Sequence, residues 1–104
     1  MLMPVKRFFI KLNELTGISV YFYSDKKDVM RFVVKLNYFY LKKWREIARY
    51  DNYHGSVHRD LFNIYGDKIY VKRFPYLDNK SGLSFSIDDF KENHDNYIWI
   101  YKNG

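Results

Sequence analysis

The stretch Trp44–Asp60, WREIARYDNYHGSVHRD, decides the fold class. Trp44, Glu46, Ala48 and Tyr50 fall on one face of an extended strand, and Arg45, Ile47, Arg49 and Asp51 fall on the other. Asn52–Gly55 reads as a turn, with Gly55 free to take a positive φ. Ser56–Tyr65 then continues as a strand, with His58, Asp60, Phe62 and Ile64 facing one way and Val57, Arg59, Leu61, Asn63 and Tyr65 the other. The stretch is therefore an antiparallel hairpin. It also holds two histidines, three arginines and two aspartates, more ionisable groups than a hairpin needs in order to fold.

Reading downstream, Gly66-Asp67 closes a tight turn into a strand at Lys68–Phe74. Upstream, Val29–Leu41 is a long run with apolar residues on both faces, as expected of a central strand. Leu41-Lys42-Lys43 makes the turn into Trp44. Ile18–Tyr23 is β-branched and aromatic and reads as a strand, with a break at Gly17 before it and the polar turn Ser24–Asp28 after it. Val5, Phe8, Phe9 and Leu12 fit helical spacing as well as a strand, and a short helix or irregular lead-in is expected there. After Pro75, the segment YLDNKSGLS (Tyr76–Ser84) reads as loop. Ser86 then looks like an N-cap ahead of Asp88 and Asp89, and Ile87, Phe90, His94, Tyr97, Ile98 and Tyr101 follow helical spacing. The expectation is one α+β domain over residues 1–104: an antiparallel meander of about five strands with a C-terminal helix packed on it.

Composition bounds the function. With 47% hydrophobic and 29% charged residues, the 104-residue chain is globular and long enough for a single core. The 21% aromatic content suits pleated sheet surfaces. Absence of cysteine excludes a disulfide framework, a thiolate-bound metal and thiol catalysis. No run approaches the roughly 18 apolar residues of a spanning helix, and Lys6, Arg7 and Lys11 interrupt the apolar residues near the start. A cytoplasmic protein with no membrane partner is expected. Residues 1–83 hold 16 Lys and Arg against 8 Asp and Glu, whereas residues 84–104 hold 2 against 4. A basic body with an acidic tail segment points to an anionic partner, nucleic acid foremost, although many small basic proteins bind nothing acidic.

His54 and His58 are the residues best suited to chemistry. Imidazole titrates near neutrality, so two of them at one cleft supply a general base and a general acid. RNA cleavage without metal needs a base for the 2′-hydroxyl, an acid for the leaving oxygen and a cation for the phosphorane. Arg49 and Arg59 are the candidate cations, and Asp51 or Asp60 would orient an imidazole. In the plainer alternative, His54 is an exposed turn residue and His58 is hydrogen-bonded beside Asp60. His-x-x-x-His with Asp51 or Asp60 also resembles a metal shell, but that spacing is diagnostic on a helix and Gly55 opposes one, so no metal and no cofactor is expected. Lys42, Lys43 and Arg45 at one turn, and Lys68, Lys72 and Arg73 on the last strand, are candidate nucleic-acid contacts, with Tyr38, Tyr40 and Tyr70 placed to stack bases. Lysines that guard sheet edges against aggregation explain the same pattern. His94 reads as a packing residue, and Asp88, Asp89, Glu92 and Asp95 as a solvated face.

The run Arg49-Tyr50-Asp51-Asn52-Tyr53-His54-Gly55-Ser56-Val57-His58-Arg59-Asp60 resembles the R-(Y/F/W)-D-N-x-H-G-x-x-H-R-D motif of small TumE-like proteins. Those are toxins of prokaryotic toxin–antitoxin modules. The chain departs after Asp60: LFNIYGDK stands where a histidine-proline element is expected ahead of the turn. What the resemblance implies is a toxin acting on RNA or translation, held by a cognate helix-turn-helix antitoxin. The motif residues that would carry it are Arg49, Asp51, His54, His58, Arg59 and Asp60. A non-catalytic RNA- or DNA-binding module is the second reading and a structural or adaptor protein the third. Homo-oligomerisation is open.

Overall fold

The computed structural model describes residues 5–104. Among these residues, six strands follow one another as a single antiparallel meander in chain order: β1 (Val5–Asn13), β2 (Thr16–Asp25), β3 (Asp28–Tyr40), β4 (Lys43–Asp51), β5 (His58–Phe62) and β6 (Lys68–Arg73). One long helix, α1 (Asn79–Asn103), lies across one face, so the fold is α+β with one strand more than expected.

The extra strand is β1, expected as a short helix or lead-in. Its side-chain spacing is ambiguous, and pairing decides the matter: Phe8 stands opposite Val20 and Ile10 opposite Ile18. The two-residue turn that sets this register is pinned locally. Asn13 Oδ1 accepts the Leu15 N–H at 2.9 Å, and Lys11 pairs with Glu14 at 3.0 Å. Gly17 is not a break. It is buried inside β2, with the Phe9 ring packed on it.

Strict alternation fails at one place in β4. Leu36 stands opposite Ala48 while Asn37 stands opposite Glu46, so Ile47 is the extra residue of a β-bulge. The bulge swings Glu46 away from Ala48 and Tyr50 and onto the side of Arg49, whose Nε lies 3.6 Å from Glu46 Oε1.

The helix starts seven residues before Ser86. Asp78 is the cap, its carboxylate accepting the Ser81 N–H at 2.8 Å, which holds that carboxyl below its usual range. Tyr76–Ser84 reads as loop because Asn, Ser and Gly are weak helix formers, yet Gly82 is where the helix meets the sheet. A Cβ there would lie 2.6 Å from Val57 Cγ2 and 3.4 Å from Phe32 Cζ. Ser86 is fully buried one turn on and donates its hydroxyl to the Gly82 carbonyl at 2.6 Å. Ile18, Phe32, Val34, Leu36, Tyr50 and Phe90 form the innermost layer between helix and sheet. No helix among the described residues is long and apolar enough to cross a membrane.

Candidate functional site

The register of the meander sorts the charged residues by face. One row of cross-strand partners runs Arg7, Tyr21, Val33, Asp51, His58 and Arg73; the row two residues along runs Phe9, Ser19, Lys35, Arg49, Asp60 and Val71. Both rows point away from α1. The row between them, Phe8, Val20, Val34, Tyr50, Arg59 and Lys72, points to the helix side. Of the six residues chosen from the sequence for catalysis, Arg49, Asp51, His58 and Asp60 therefore share one face, and His54 joins them from the turn. Arg59 does not.

The centre of the cleft is buried. Asp51, His58 and Asp60 are 6%, 6% and 3% exposed, although each is ionisable. The His58 ring is held at both nitrogens: Nδ1 lies 3.2 Å from the Ser56 carbonyl, and Nε2 lies 3.2 Å from Asp51 Oδ1 and 3.8 Å from Asp60 Oδ2. A carbonyl only accepts, so Nδ1 carries the hydrogen and Nε2 is the nitrogen turned to the two carboxylates. Asp51 Oδ1 also accepts the Tyr53 N–H at 3.0 Å, which shapes the turn of 3₁₀ helix at Tyr53–Gly55. That turn puts His54 in the left-handed region at φ 66°, followed by Gly55 at φ 99°. His54 is exposed at the rim of the cleft.

Cations flank the carboxylates. Arg49 Nε lies 3.6 Å from Asp51 Oδ2, and Lys68 Nζ lies 3.3 Å from Asp60 Oδ2. A line of alternating charge thus crosses four strands: Lys35, Glu46, Arg49, Asp51, His58, Asp60, Lys68. Several contacts in it are long. Asp60 Oδ1, Glu46 Oε1 and Arg49 Nε are buried with no hydrogen-bond partner among the described residues. The cleft encloses about 250 Å³ and is lined by Arg49, Asp51, Tyr53, His54, His58, Asp60 and Lys68 with Val33. Val33 and Arg49 also line a larger open groove of about 630 Å³ toward β1, which Arg7, Phe9, Tyr21 and Lys35 complete.

On the helix side, Arg59 serves packing. Its Nη1 donates to the Tyr97 hydroxyl at 3.0 Å, and its guanidinium lies over the Phe74 and Tyr97 rings. Tyr97 and Tyr50 both donate to Asp89 Oδ2, the latter at 2.7 Å, while Asn93 donates to Asp89 Oδ1 at 2.7 Å. Asp89 is consequently not part of a solvated face. Burial, then the hydrogen bond to Asp89, pushes the Tyr97 phenol up to about 12; burial and the Tyr97 oxygen push the Tyr50 phenol up as well. Burial opposes the charge on Arg59, but the Tyr97 and Tyr50 oxygens outweigh it and hold the guanidinium above its ordinary value. His94 is half-buried, its Nδ1 3.0 Å from the Lys91 carbonyl and its Nε2 3.7 Å from Asp95.

The six basic residues chosen from composition do not form one surface. Lys68 belongs to the cleft, and Arg73 stands beside His58 in register, reaching Ser56 Oγ at 3.3 Å. Lys72 lies over the Phe74 ring, on the row that faces the helix side. Lys42 and Lys43 sit at the β3–β4 turn, about 25 Å along β4 from Asp51 at strand rise; Arg45, near the same turn, donates to the Tyr40 carbonyl at 3.0 Å. Tyr38 is buried against Tyr101, and Tyr40 packs edge-on to the same ring. Tyr70 alone of the three proposed stacking tyrosines is largely exposed. The aromatic–cation pairs on the cleft face are others: Arg7 over Tyr21 at 5.2 Å and Arg31 over Tyr53 at 4.7 Å. Arg7, Tyr21 and Lys35 were missed because Arg7 enters this face only once β1 is a strand, and all three come together only through the register of β1, β2 and β3.

No curated protein and no solved structure gives a significant match to the chain. One family model does, over residues 3–104, which is nearly the whole length. The chain belongs to that family, DUF7718, described as a domain of unknown function.

Proposed function

We propose that the helix-free face of the sheet binds RNA and that the cleft at its end cleaves the phosphodiester backbone. The observation that carries this reading is the convergence of His54, His58, Asp51, Asp60, Arg49 and Lys68 on one 250 Å³ cleft, opening through Arg49 into the basic, aromatic groove. A backbone laid along the groove would meet Arg7, Lys35 and Arg49 as phosphate contacts and Tyr21 as a stacking surface. At the cleft, His54, exposed at the rim, takes the 2′-hydroxyl proton. The oxygen attacks phosphorus, Arg49 and Lys68 stabilise the phosphorane, and the 5′-oxygen leaves with the Nε2 proton of His58 in its imidazolium form, which becomes the neutral imidazole. The products are a 2′,3′-cyclic phosphate and a 5′-hydroxyl.

The resemblance of Arg49–Asp60 to the TumE-like motif supports placing this activity in a toxin of a prokaryotic toxin–antitoxin module, acting in the cytoplasm and neutralised by a helix-turn-helix antitoxin. The test is cleavage of single-stranded RNA by purified protein, with products resolved by end chemistry. His54→Ala and His58→Ala should each lose at least about 100-fold in rate, the usual scale of a proton-transfer group. Undiminished cleavage by the double variant overturns the reading. The cation–aromatic pairs on this face, Arg7–Tyr21 in the groove and Arg31–Tyr53 at the cleft, favour one alternative, a module that binds RNA without cutting it. In that case binding survives histidine loss and turnover is absent from every variant.

A further inference from the structure

We infer that Asp51, His58 and Asp60 form a binding site for one divalent first-row metal ion such as Mn²⁺ or Zn²⁺. One ligand atom from each of the three side chains lies within 4.8 Å of the other two, a span that a single ion closes by small side-chain movements. The donor set, two carboxylates and an imidazole, suits the borderline cations that accept both oxygen and nitrogen. It differs from the pair the sequence offers. His54 and His58 lie four apart across a turn, whereas this set is assembled across two strands, Asp51 and His58 being direct partners and Asp60 two residues on.

Three features beyond the clustering point to a cation. The Asp60 side chain is 5% exposed, and its Oδ1 has no hydrogen-bond partner among the described residues, a desolvated oxygen with nothing to compensate it. Its other oxygen faces His58 Nε2, so the side chain is directed into the cluster. The His58 ring is oriented as an outer-shell carbonyl orients a metal-bound imidazole: Ser56 takes Nδ1 and leaves Nε2 for the ion. Finally, the cationic neighbours only half-satisfy the carboxylates. Arg49 stands off at 3.6 Å, and Lys68, 52% exposed in its side chain, is free to withdraw into solvent. An exposed His54 at the rim is within the same cleft as a further donor.

This inference concerns the same cleft and stands whether or not the cleft cleaves RNA. The test uses full-length protein stripped with EDTA and titrated separately with MnCl₂ and ZnCl₂ by calorimetry, with Mn²⁺ binding also read by electron paramagnetic resonance. One ion per chain is expected. Asp60→Asn and His58→Gln should each weaken it by at least the roughly 10–100-fold lost when an outer-shell partner is removed. Lys68→Ala should tighten it, because an ammonium at 3.3 Å from Asp60 competes with the ion. Circular dichroism checks that each variant is folded, and either ligand variant suffices if the other fails to fold. No saturable uptake of either ion, or uptake unchanged in the folded ligand variants, overturns the site. Ion uptake without RNA cleavage supports the site and removes the ribonuclease reading. Cleavage in EDTA by protein that takes up no ion does the reverse.

Discussion

Arg59 and His58 are neighbours in the chain and do opposite work, because successive side chains of a strand point to opposite faces. The motif that draws attention to both hides that difference. Arg59 ties the sheet to the helix through Tyr97, and we expect Arg59→Met to lower stability by about 1.5–3 kcal/mol, the range for a hydrogen bond to a charged group. The folded variant should keep any RNA cleavage. Chemical denaturation and an activity assay on the same preparation separate the two effects. The phenol of Tyr97 sets a second expectation. Its folded value of about 12 exceeds the ordinary 10.0, so the neutral phenol is favoured in the folded state. That contribution is complete below pH 10 and is lost as pH rises from about 10 to 12, where the unfolded chain releases the proton first. Melting temperature measured across this window should fall less steeply in Tyr97→Phe than in the parent.

At the scale of elements, the helix start shows where local reading stops. Tyr76–Ser84 is poor helix sequence, and Gly82 looks like a breaker until Val57 and Phe32 are seen beneath it. Gly82→Ala gains about 1 kcal/mol of helix propensity but drives a methyl to 2.6 Å from Val57 Cγ2. Overpacking of this kind costs about 1–3 kcal/mol, so the variant should be less stable than the parent by urea denaturation. The β3–β4 turn gives the converse case. Leu41 and Lys42 both occupy the left-handed region, at φ 50° and 69°, where Asn-Gly is the favoured pair for a two-residue hairpin turn. Replacing them by Asn-Gly should raise stability by roughly 1 kcal/mol for each non-glycine residue relieved. The hairpins from Val29 to Arg73 are legible in the sequence because their turns and alternation are local. The bulge at Ile47 is not, since an extra residue is visible only against its partner strand; it alone moved Glu46 to the side of Arg49.

For the whole molecule, the division of faces sorts the charged and aromatic side chains. The helix covers one side of the sheet and leaves the other with a groove and a cleft that share Arg49. The sequence located the cleft, since His54, Asp51, His58 and Asp60 lie within one short stretch. It could not show the groove, which draws on Arg7, Tyr21 and Lys35 from three other strands and exists only through their register. If this face carries RNA, affinity should fall with added salt, and Arg7→Ala and Lys35→Ala should each reduce the slope of log affinity against log salt by about 0.7, the single-strand value for one phosphate contact. Lys42→Ala, at the far turn, should leave that slope unchanged. The most direct test of the account is RNA cleavage by the wild type beside the folded His58→Ala and Arg59→Met variants. Cleavage by the wild type and Arg59→Met but not by His58→Ala is the predicted result. Equal cleavage by all three, or loss in Arg59→Met with retention in His58→Ala, would contradict it.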